Sequence, residues 1–202
     1  MKKLAVLSMA VLLLVPSLSS SAEELPDGYV DEKEVTEYLN SIKFTFLSWF
    51  TGSTKIAYER ALPDVRQSAE ICAGIISAGY DKYRNDPSGF SLRYGHKFFL
   101  QDKDEVSLKG FYLRPEAVYS RYFYNLMENG ERALSNMLAL LGTIGYQYVY
   151  NRFLADIWVG GGPASGTPSD TLYHHGFELW NWLGTVNTSI ALSFSIRLGI
   201  CF

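Results

Sequence analysis

The chain of 202 residues is slightly acidic, with a formal net charge of −3, and 48% of it is apolar. With no basic stripe along it, that balance excludes the electrostatic footprint of a nucleic-acid binder. Two cysteines are too few for a disulfide scaffold, and 14 Tyr with 12 Phe suit a membrane interface better than an ordinary soluble core.

The first segment, MKKLAVLSMAVLLLVPSLSSSAEE, has two lysines, an apolar run from Leu4 to Val15, a proline and then small residues. That layout predicts a secretory signal peptide over 1–22, cut after Ala22. The apolar run is too short for the roughly 20 residues of a membrane-spanning helix. Residues 23–41 are polar and acidic and read as a periplasmic lead-in, in which Asp31 and Glu34 are placed to cap a short helix.

From Ile42 onward, β-type segments alternate with turn signals. IKFTFLSWF (42–50) is closed by Thr51 and Gly52, and TKIAYERAL (54–62) by Pro63 and Asp64. SAEICAGIISAGY (68–80) leads into a turn-rich stretch, followed by FSLRYGHKFFL (90–100) and KGFYLRPEAVYSRYFY (109–124). NMLALLGTIGYQYVY (136–150) belongs to an uncharged run long enough for a transmembrane helix. Its Leu138, Leu140, Ile144, Tyr146, Tyr148 and Tyr150 share one face at period two, however, which favours a strand. FLADIWVG (153–160) follows a tight turn. The chain closes on SIALSFSIRLGICF, where every second residue from Ile190 to Phe202 is large and apolar.

Eight consecutive strands, mostly ten residues or longer and apolar on one face, predict an all-β fold. The architecture expected over 42–202 is an eight-stranded antiparallel transmembrane β-barrel, because only a closed barrel satisfies every strand backbone group in lipid. An even strand number puts both ends in the periplasm, and the long connection, about 161–188, outside the cell. The competing soluble reading is a secreted lipocalin-like barrel or sandwich with the same faces turned inward.

Phe202 at the end of an alternating strand resembles the C-terminal assembly signal of bacterial outer-membrane barrels. The stretches IAYERAL, GYDKY, LRYGHKFF, GFYLRPE, GYQYV and RLGICF resemble a family of small outer-membrane barrels of Gram-negative anaerobes, known as a domain of unknown function. The resemblance implies an outer-membrane location, contact with outer-membrane lipid and the barrel-assembly machinery, and a fimbrial or other surface protein as partner. It carries no active-site motif.

If the apolar sets face lipid, Lys43, Lys55, Glu59, Glu70, Arg93, Lys97, Arg114, Glu116, Asp156 and Arg197 point into the lumen. An eight-stranded barrel is only just filled by its own side chains, and buried charges must be paired. The set therefore reads as an interlocking ion-pair plug, with Arg93, Arg114 and Glu116 as one group and Asp156 with Arg197 as a cross-strand pair. Cys72 and Cys201 also face inward, on strands too far apart for a disulfide.

Chemical motifs are thin, and neither a cofactor, a metal nor a catalytic group is expected. Gly160, Gly161, Gly162 and Gly166 imitate a phosphate loop without the helix or Lys-Ser/Thr it needs. Ser169, Asp170 and His174 have the residue types of a lipid-A-modifying enzyme, at generic spacing; adjacent histidines in an extended loop point apart. His174, His175, Phe177, Trp180 and Trp182 make the long loop a candidate partner-binding surface. The function expected is a non-enzymatic surface scaffold or interaction module, the alternatives being a narrow solute channel and a lipid-A-modifying enzyme.

Overall fold

The computed structural model describes residues 38–62, 66–81, 84–100, 108–126, 128–167, 172–180 and 188–202. The signal peptide over 1–22, the proposed cap at Asp31 and Glu34, and the candidates Ser169, Asp170 and Trp182 lie outside them. Nine strands follow in chain order: β1 (Asn40–Thr45), β2 (Ser53–Ala61), β3 (Gln67–Ile76), β4 (Ser88–Phe99), β5 (Gly110–Asn125), β6 (Arg132–Tyr150), β7 (Phe153–Thr167), β8 (Glu178–Trp180) and β9 (Thr188–Cys201).

β1 to β7 and β9 pair antiparallel in sequence order, and β1 pairs with β9 to close the sheet. The result is a closed eight-stranded antiparallel barrel, with β8 a short addition beside β9. No described helix is long and apolar enough to cross a membrane. Burial alternates strictly along most strands, as in β2 and β6. It does so in the sense opposite to a soluble barrel: Ile56, Ile71, Leu92, Leu140, Ile157 and Phe194 face outward and exposed, while charged residues fill the inside. Only lipid makes such an exterior favourable.

Turn chemistry accounts for the hairpins. Asn151 and Arg152 join β6 to β7 in a two-residue turn, and Asn151 has the positive φ of 51° that such turns demand. The first hairpin departs from the sequence expectation. β1 stops at Thr45, and Phe46–Thr51 form a turn of 3₁₀ helix ending on Gly52 in the left-handed conformation. FLSWF has no alternation to hold it as a strand. Ser48 Oγ donates to the Thr45 carbonyl at 2.7 Å, and Gly52 supplies the φ of 78° that ends the turn.

The opposite correction applies to β7. The run Gly161–Thr167, expected to open the long loop, continues the strand and pairs with both β6 and β9. These unequal lengths make the rim uneven. β9 pairs with β7 from Thr188 to Ile200, whereas on its other edge β1 reaches only Arg197 and β8 covers only Ile190–Leu192. Among the described residues, Ser193–Ile196 have no ladder partner on that edge.

Candidate functional site

The interior is layered. Its floor, at the end of the β6–β7 turn, is an apolar cluster that includes Phe99, Leu108, Tyr112, Leu154 and Trp158. Its outer half is capped by a second cluster in which Phe177, from the long connection, packs among Val118, Met137, Leu141 and Ala191. The charges lie between.

Glu70 is the hub of the charged layer. Its carboxylate pairs with Arg114 at 3.0 Å and Lys97 at 3.4 Å, and also with Lys43 and Arg197. Lys43 Nζ lies 2.5 Å from Glu59 and 3.2 Å from Asp156, and Lys97 Nζ lies 2.9 Å from Asp156 and 3.3 Å from Glu59. Glu116 stands between Arg93 and Arg114, 3.0 Å from each. Glu59, Glu70, Arg93, Lys97, Arg114, Glu116, Asp156 and Arg197 are thus brought into one buried network, with Lys43 at its centre.

One pairing differs from expectation. Asp156 and Arg197 are register partners, yet Arg197 crosses the lumen to Glu70. Its guanidinium lies over the ring of Trp158, two residues along β7 from Asp156, 4.4 Å from the centroid. Asp156 instead accepts from the Tyr112 hydroxyl at 2.5 Å and from both lysines.

Polar members that charge counting overlooks complete the layer. Gln147 accepts from Lys97 and donates to Glu59 at 3.1 Å, and Thr143 Oγ1 accepts from Arg114 Nε at 3.1 Å. Both lie on the inward parity of β6, so the alternation that marked Leu140 and Ile144 as outward already carried the signal.

The loop residues depart furthest from expectation. His174, His175 and Phe177 are buried, so they are not an exposed docking surface. A 3₁₀ turn, Leu172–His175, folds them into the barrel mouth. His174 Nδ1 donates to the Thr51 carbonyl at 3.0 Å. His175 is held between two hydroxyls: Ser120 at Nδ1, and Ser135 at Nε2, 2.9 Å away. The histidines do not point apart, since both rings rest against Tyr122 at 5.2 and 4.9 Å. Burial lowers both imidazoles below their ordinary value, His175 to about 3. Trp180 belongs to β8.

Ser120 and His175 have the residue types of a nucleophile and its base. Both are buried inside the mouth, where the pair clasps β5, β6 and the loop together. Among the described residues, no group of three His, Cys, Asp or Glu is placed to hold a metal. Cys72 and Cys201 are buried and free. Phe202 is exposed, and its backbone exchanges two hydrogen bonds with Asn40, at 2.9 and 3.0 Å.

No family model and no curated protein matches the chain, so the family resemblance of the strand motifs gains no support there. Among solved structures, the crystal structure of Neisserial surface protein A (NspA) is similar at 14% identity and a TM-score of 0.44, covering 82% of this chain and 96% of that one.

Proposed function

We propose that the protein is an integral outer-membrane barrel of the Gram-negative envelope that serves as a surface scaffold or interaction module. The reading rests on one observation: an apolar exterior around a lumen whose buried charges, Lys55 apart, are cross-paired. Placing charges in that buried interior costs several kcal/mol per ion before pairing. A network that satisfies them joins five or more strands through side chains and stiffens a wall otherwise held by backbone bonds alone. A narrow channel would need a water path through this layer, and the apolar floor and the Phe177 cap both stand across it.

The scaffold presents its uneven rim and the connection beyond β7 to the cell exterior, where a fimbrial or other surface protein is the partner class proposed. The folded chain should migrate faster on SDS gels unboiled than boiled, and should show no unitary conductance in a planar bilayer. Equal mobility for protein that circular dichroism shows to be folded would sink the barrel, whereas steady conductance would replace the scaffold with the channel.

A further inference from the structure

The gap beside Ser193–Ile196 opens into a cavity of about 280 Å³. Its mouth is apolar and lies on the barrel wall. Leu192 and Phe194 line it from the outward face of β9, and Leu47 and Phe50 from the 3₁₀ turn after β1; all four are exposed. Its inner end is basic, lined by Lys55, Arg93 and Arg197, with no carboxylate among the described lining residues. Ser195 lines it too, and is the one inward-facing residue between Ala191 and Arg197 that is not fully buried.

Two of these cations are neutralised elsewhere, Arg93 by Glu116 and Arg197 by Glu70. Lys55 is not. The residue is only 8% exposed, yet among the described residues it enters no ion pair and no hydrogen bond. The chain makes deliberate room for it: a Cβ on Gly74 would sit 2.8 Å from Lys55 Cγ, and one on Gly176 would sit 2.7 Å from its ammonium nitrogen. The indole Nε1 of Trp158, which also lines the cavity, is a buried donor without a hydrogen-bond partner among the described residues. A buried, unpaired cation is costly, and a site that keeps one is short of an anion.

We propose that this cavity takes the anionic head of a single-chain amphiphile that enters sideways from the outer leaflet. Lys55 would be the primary ligand of the head, and Phe50, Leu192 and Phe194 would hold the chain as it leaves into lipid. The proposal rests on the membrane-barrel reading, because a mouth facing hydrocarbon admits only what dissolves there. The volume corresponds to about nine waters at ~30 Å³ each, which suits one carboxylate or phosphate with the first methylenes of one chain.

The test uses the mature chain refolded in dodecyl maltoside, with Trp49→Phe, Trp180→Phe and Trp182→Phe leaving Trp158 as the single tryptophan. Titration with 2-bromohexadecanoate should quench Trp158 saturably. Lys55→Gln should weaken binding about tenfold, the worth of one charge-assisted hydrogen bond, and Lys55→Arg should restore most of it. Hexadecanoate and hexadecyl phosphate should each displace the probe, the one effective at lower concentration naming the head group, and hexadecanol should not.

Quenching that never saturates and is identical in Lys55→Gln would overturn the site, as would displacement by the alcohol. Lys55→Gln should melt no lower than its parent without amphiphile, because it removes an unpaired buried charge. A lower melting temperature would make Lys55 a structural member of the network and end the proposal. Unboiled gel mobility of every variant checks the barrel separately, so loss of the fast band would indict that reading instead.

Discussion

Arg114 concentrates the energetics of the lumen in one side chain. It is buried, pairs with Glu70 and Glu116, bonds Thr143, and lies 4.8 Å from the Trp158 ring centroid. Gly95 leaves the space it needs, since a Cβ there would come 2.7 Å from Arg114 Cδ. Truncation strands two carboxylates that keep other cations, so the cost of Arg114→Ala should lie near the low end of a broken buried pair, about 3 kcal/mol. Thermal melting of the refolded barrel should show that loss. Leu140→Ala on the lipid face is the control and should cost far less, because alanine there still meets hydrocarbon. His175 makes a prediction of the other kind. The closed mouth holds its imidazole neutral, with the value lowered to about 3, whereas an opened mouth returns it to about 6.5. The open form therefore takes up the proton first. Closure is fully stable above pH 6.5 and weakens by about 1.4 kcal/mol per pH unit as the pH falls from there toward 3. Hydrogen-exchange protection factors at Ser120 and Ser135, which remove the intrinsic pH dependence of exchange, should fall on acidification in the parent, and His175→Gln should flatten that dependence. An equally steep dependence in the variant would remove His175 from the account.

Strand β7 shows how much a single element depends on the absence of side chains. Gly162 faces inward, and a Cβ on it would lie 2.0 Å from the Leu140 carbonyl oxygen of β6. Gly142, directly across the wall on the outward face, would meet nothing within 4 Å. Gly162→Ala should thus force the two strands apart and cost about 1–3 kcal/mol, the range for overpacking. Gly142→Ala should be close to neutral, and melting curves of the two variants give the contrast directly. The same contrast explains what was legible in the sequence. Period-two alternation from Ile190 to Phe202, and from Leu138 to Tyr150, revealed strands because inside and outside demand opposite chemistry. It also placed Glu70, Arg114 and Asp156 in the lumen, since parity decides the face whatever the register. Alternation fails where the residues carry no such contrast. Gly161 and Gly162 have no side chains to alternate, so the continuation of their strand was invisible, and FLSWF is almost uniformly apolar, so its 3₁₀ turn was too. The inward fold of His174, His175 and Phe177 depends on partners on β5 and β6 that lie some 40 to 60 positions away in the chain, beyond the reach of any local pattern. Arg197's pairing with Glu70 across the lumen, rather than with its register partner Asp156, is likewise a matter of side-chain reach that parity does not report.

Across the molecule, the strands form one continuous run of antiparallel neighbours except at a single joint. β5 and β6 share sixteen residue pairs, whereas β1 and β9, which meet only after the whole barrel has been traced, share five. Joining the two termini carries the largest loop-closure cost of any pairing here. A ladder no longer than the five pairs of β1 with β2 thus closes the longest loop of the barrel, and this joint should form last and open first. Ser41 and Cys201 face each other across it, both inward and buried. Directly opposed residues on antiparallel strands have α-carbons about 4.5–5.5 Å apart, inside the span a disulfide tolerates. Ser41→Cys, with Cys72→Ser to remove the competing thiol, should oxidise into a cross-link there. In the chain-entropy model a loop of that length is worth about 5 kcal/mol, so the denaturant midpoint should rise and fall back on reduction. Boiled without reductant, the oxidised chain should still outrun its reduced form on a gel, because heat can unfold a hoop but cannot uncoil it into a line. The barrel as it stands is one sulfur short of being a ring.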